Sequence, residues 1–107
     1  MVDSDELLRA KLNAETGRLG WKELERHFAR GAVIKVASGM DLVEVALHIA
    51  RDDRPGIEAW LAAGQIQRAS SDDARDWHDR DARFWAVVTA PWVLVQEVTE
   101  SPSDSPL

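Results

Sequence analysis

The side chains best spaced for chemistry lie between residues 41 and 52. Glu44 and His48 stand four residues apart, with Asp41 three before Glu44 and Asp52 four after His48. On an α-helix these spacings stack side chains along one face, which makes Asp41, Glu44 and His48 the candidates for a metal site or an acid–base pair. A zinc or iron site asks for three protein ligands, and the helical metalloprotease arrangement uses two histidines four apart. Only one histidine is local here; His27 and His78 would have to arrive from separate helices. The competing reading needs only ordinary helix chemistry: Asp41 and Glu44 cap the helix and His48 occupies its solvated side. It is preferred, and neither a metal nor another cofactor is expected.

Other catalytic devices are missing from the residues. The chain has no cysteine, which excludes a thiolate zinc site, a cysteine nucleophile and a disulfide scaffold. No G-x-S-x-G elbow, G-x-G-x-x-G turn or phosphate loop with its lysine occurs in the sequence, so neither a serine triad nor a nucleotide-binding loop is signalled. Lys22, Arg26 and Arg30 recur every four residues and form a positive stripe, with Arg18 and Lys35 close in sequence. That stripe is the footprint for weak nucleic-acid contact, but Glu23 and Glu25 interrupt it and no stacking motif accompanies it. Residues 7–40 hold seven Lys or Arg against three Glu, a balance of +4 that leaves −10 elsewhere in a chain of net charge −6. Nucleic acid is therefore disfavoured as a partner. The two charge halves can also satisfy each other within one fold.

Five tryptophans in 107 residues supply on the order of 200 Å² of apolar surface each. A domain this small has limited interior, and tryptophan is enriched at interfaces. Trp60, Trp77, Trp85 and Trp92 are the candidates for an interaction surface, with a protein partner or a second copy of the chain as its occupant.

The elements that must position these groups follow from periodicity. Leu7, Leu8 and Leu12 mark a helix over 5–16, and Trp21, Leu24 and Phe28 mark a second that opens at Gly20 and stops at Gly31. Residues 32–36 read as a strand. A third helix begins at Asp41 and ends at Asp52–Arg54, because a residue before proline leaves helical geometry. Ile57, Trp60 and Leu61 define a fourth, stopped by Gly64; residues 65–69 form a short strand; and Ser70 or Ser71 opens a fifth helix that runs to Arg80 with Ala74 and Trp77 inward. Residues 84–95 are apolar at ten of twelve positions. That run is too short to span a membrane even as a helix, and Pro91 interrupts it, so it reads as buried strands at 84–89 and 92–98. The expectation is an α+β domain over 6–98, with a small sheet (strands near 32–36, 65–69, 84–89 and 92–98) covered by about five helices. Residues 1–5 are expected to be flexible and the Ser/Pro-rich 99–107 disordered. The first fifteen residues contain no export signal, which makes the cytoplasm the default location and a membrane partner unexpected.

The phrases WKELERHFARG (21–31), DLVEVALHIARDD (41–53), IEAWLAAGQI (57–66) and FWAVVTAPWVLVQE (84–97) together resemble an uncharacterised bacterial family, domain of unknown function 2288, over roughly residues 6–98. Gly20 departs from the Thr or Ser cap of many relatives. The resemblance implies domain boundaries and a bacterial origin, and brings no activity, substrate or catalytic residues with it. Missing catalytic signatures and surplus tryptophan point to a non-catalytic protein-interaction or self-associating module. A small metal-binding protein or enzyme built on Asp41, Glu44 and His48 is the alternative, followed by weak nucleic-acid binding through Lys22, Arg26 and Arg30.

Overall fold

A computed structural model of the chain describes residues 4–98; the expectations for residues 1–3 and 99–107 lie outside the described residues. Along the chain come α1 (Ser4–Glu15), β1 (Gly17–Gly20), α2 (Trp21–Ala29), β2 (Val33–Val36), α3 (Leu42–Ala50), α4 (Arg54–Ala62), β3 (Ile66–Arg68), α5 (Ser71–Arg80), β4 (Arg83–Thr89) and β5 (Trp92–Glu97). The strands form one sheet in the order β1-β4-β5-β2-β3. Among the described residues only the β2–β5 pairing is parallel, so the sheet is mixed and the fold is α+β.

Alternation along the strands sends side chains to two faces. On one face Ile34, Val36, Ile66, Val87 and Leu94 pack under α1, α3 and α4, with Leu12, Leu42, Val45 and Leu47 completing that core. On the other, Val33, Phe84, Ala86, Val93 and Val95 meet Trp21 and Leu24 of α2 and Trp77 of α5. Covering both faces explains the uninterrupted apolar stretch of β5, in which Val93, Leu94 and Val95 are all buried. Each such side chain contributes about 1.5–3 kcal/mol of burial free energy. The β4–β5 hairpin turns at a cis Ala90–Pro91 peptide.

The helix ends follow their caps. Asp41 accepts the Glu44 N–H, Asp53 accepts the Gly56 N–H with Pro55 in the first turn of α4, and Ser70 with Asp73 forms a reciprocal capping box for α5. Gln96 pins the β2–α3 loop by donating from Nε2 to the carbonyls of Ala37 and Met40 at 2.9 and 2.7 Å. The strand β1 is an addition to the four expected. Two glycines and a single apolar residue give it no strand signature of its own, and it forms because β4 offers it a partner, with Gly17 opposite Ala86 and Leu19 opposite Phe84. Among the described residues no helix is long and apolar enough to cross a membrane.

Candidate functional site

The third helix brings Glu44 and His48 together but not Asp41, whose side chain caps the helix with an acceptor 3.2 Å from the Glu44 N–H. Asp53 takes the third place: the His48 Nδ1 and Asp53 Oδ2 are 2.6 Å apart, and the His48 Nε2 lies 3.7 Å from Glu44 Oε1. Arg9 reaches across from α1 and donates to both Glu44 oxygens at 3.0 and 3.2 Å. A second α1–α3 link joins Arg51 to Asp5. Asp52 turns outward with φ 55° and pairs with Arg54 at 3.6 Å. Asp5, Arg9, Glu44, His48, Arg51 and Asp53, with Leu47, line an open cleft of about 510 Å³.

The charges in this cleft face one another. The Arg9 guanidinium, by hydrogen bond and charge, holds the Glu44 carboxyl below its usual range against the cost of burial. The hydrogen bond from His48, helped by the Gly56 N–H, does the same for Asp53. Among the described residues no three His, Asp or Glu side chains are grouped to hold a metal ion. The arrangement acts as a brace that fastens α1 and α4 to α3. The metal alternative on Asp41, Glu44 and His48 thus meets a different geometry, in which one member is a cap and the other two are bonded to Arg9 and Asp53.

The basic stripe is shorter than its sequence neighbours suggested. Lys22, Arg26 and Arg30 lie exposed on or next to α2, and Arg30 donates to His27 Nδ1 at 2.6 Å. Arg18 is on β1 with its guanidinium 4.7 Å from the Trp85 ring. It shares the sheet face of Trp85, opposite the face that α2 covers. Lys35 sits half-buried beside α5 and donates to Asp73 at 2.8 Å. Arg18 and Lys35 therefore do not extend the stripe.

The tryptophans divide. Trp77 is core, 5% exposed, between Trp21 at 6.2 Å and Phe84 at 4.9 Å, and burial removes it from the candidate interaction surface. Trp85 is 39% exposed. Trp60 is half-buried and edge-on to His48 at 5.0 Å. Trp92 is half-buried and lines an apolar groove of about 280 Å³ with Ile34, Ile49, Ile57, Leu61 and Ile66. Helix α4 forms one wall and contributes no fully buried residue; Leu61 is 47% exposed.

At the groove, Asp52 and Arg68 are the polar members. Arg68 donates from Nη2 to the Gly31 carbonyl at 2.7 Å, with its guanidinium carbon 5.4 Å from the Trp92 ring centroid. Gly31 has φ +70°, a conformation that favours glycine, and a Cβ there would stand 2.9 Å from that Arg68 nitrogen, so the guanidinium would have to shift to make room for it. The aliphatic positions of α4 were legible from their helical period. Arg68 was not, because nothing local in Gln67–Arg68–Ala69 records that Trp92 lies beside it.

Among curated proteins none matches the chain. In fold and sequence it is similar to PA1075 from Pseudomonas aeruginosa, whose solution structure was determined by NMR: identity is 46%, the TM-score is 0.78, and the match covers 94% of this chain and 93% of that one. The family model described as "Protein of unknown function (DUF2288)" matches residues 7–97, nearly the whole described region, and the chain belongs to that family.

Proposed function

We propose that the protein is a non-catalytic interaction module that engages a protein partner through the groove between α4 and the β5-β2-β3 end of the sheet. The observation that supports this reading is an amphipathic helix left without a fully buried residue: α4 leans on the sheet edge while Ile57, Leu61 and Trp92 still line open apolar space. Concave, mostly apolar surface with a few polar groups is the usual form of a binding site, and tryptophan is enriched among the residues that anchor interfaces. The larger polar cleft supports this choice indirectly, since its acids and bases are already bonded to one another. The reading includes the cytoplasm as the place of action.

Immobilised protein exposed to a bacterial extract tests the proposal. A protein retained by the wild type and by Val88→Glu, which alters an exposed residue outside the groove, and lost with Leu61→Glu is the expected result. Retention of the same proteins by all three would contradict it.

A further inference from the structure

The mouth of the groove specifies part of what its occupant carries, on the reading that this groove is the interaction surface. Arg68 is exposed, is held by the Gly31 carbonyl at 2.7 Å, and lies over the indole of Trp92. Among the described residues it has no carboxylate partner, whereas Asp52, which also lines the groove, is paired with Arg54 at 3.6 Å. A guanidinium has five N–H donors. One donor serves Gly31, which fixes the group in place and leaves others for the two-pronged bond that arginine makes with a carboxylate. Because the carbonyl and the indole already orient Arg68, little further ordering is required when an anion arrives.

The lining next to this cation is aliphatic and small: Ile34, Ile57, Leu61 and Ile66 around a space of about 280 Å³. An occupant that fills the apolar space and also reaches Arg68 must carry both groups within a few ångströms of each other. A C-terminal aliphatic residue does so on a single Cα, with its side chain for the groove and its free carboxylate for the guanidinium. We infer that the groove receives the C-terminal aliphatic residue of a partner protein, the terminal carboxylate pairing with Arg68 over Trp92. Both parts are needed: the apolar lining gives affinity for many aliphatic groups, and Arg68 selects those with an adjacent negative charge.

The test compares N-acetyl-leucine with the uncharged N-acetyl-leucinamide as probes, read by the NMR shifts of the Trp92 indole N–H and the Ile57 and Leu61 methyls at low salt. The carboxylate is expected to bind about three- to tenfold more tightly than the amide, as befits a half-exposed charge-assisted contact. Arg68→Gln should bring the two to equal affinity, and Arg68→Lys, which keeps the charge but not the fork, should retain part of the preference. Equal binding of both probes to the wild type, or tighter binding of the amide, overturns the carboxylate inference and leaves the groove reading standing. Saturable binding of neither probe at the groove up to tens of millimolar overturns both. A preference that survives in Arg68→Gln overturns the role of Arg68.

Discussion

At the scale of single residues, Glu44 and Asp53 link the helices around them through Arg9 and His48. Glu44 is kept ionised by Arg9, and Asp53 by His48 and the Gly56 N–H. A carboxylate whose pKa is lower in the folded chain than in the unfolded one contributes stability that is present above its unfolded value and is lost as pH falls through the folded one. Glu44→Gln should therefore lower the melting temperature at pH 7, and the gap to the wild type should close as pH is taken below about 4, where the unfolded carboxylate range begins. A gap of constant size from pH 7 to 3 would contradict the pairing with Arg9. Gly31 makes a second residue-scale prediction. Its positive φ and the 2.9 Å approach of Arg68 mean that Gly31→Ala should cost about 1 kcal/mol or more in chemical denaturation and weaken the carboxylate preference of the groove. A neutral effect on both would show that Arg68 is not held as described.

At the scale of elements, caps explain where helices start, and cross-sheet partners explain which of them are firm. Helix α5 has its Ser70–Asp73 capping box at one end and, near the other, Arg80 bonded both to Asp76 at 2.7 Å and to Glu97 of β5 at 2.6 Å. Ser70→Ala should destabilise the protein by about 1 kcal/mol, measured by urea unfolding with an unchanged slope; a change under a few tenths would mean that the box is frayed in solution. The helix starts and stops were legible in sequence because their signals are local: Ser70 before an acidic turn, Asp41 before Leu42, Gly64 after Ala63. What was illegible is non-local. The strand at Gly17–Gly20 exists only against β4. Asp53 was read as the end of α3, although an Asp two residues before Pro55 also carries the signature of a helix cap, and that signal could have placed it beside His48. The links from Arg9 to Glu44 and from Arg68 to Trp92 depend on contacts across the fold that no spacing records.

At the scale of the whole molecule, two cores on opposite faces of one sheet leave little interior to spare. Leu94 is fully buried at the central strand, beneath the helices of one face, and Leu94→Ala should cost about 2–5 kcal/mol. That is a large part of the stability of a domain of this size. Leu61 lies on the same side of the sheet yet half in solvent, and its truncation should cost far less than that of Leu94. The contrast between the two positions separates a core residue from a surface one: equal losses would mean that α4 is packed as tightly as α3 and that the groove is closed. The rise of apolar content toward residues 84–95 made the position of the core readable from the start, whereas the incomplete cover over Trp92 emerges only when α4 and the sheet edge meet in space.

The central claim is that the space between α4 and Trp92 is open and receptive. The most direct measurement is a titration with a small neutral probe, cyclohexanol, followed by the methyl resonances of Ile49, Ile57 and Leu61 and the indole N–H of Trp92. Saturable shifts confined to these groups are expected, with the buried methyls of Leu24 and Val45 and the exposed methyls of Val88 unmoved. Shifts that never saturate, or that fall on Val88 as strongly as on Leu61, would contradict it.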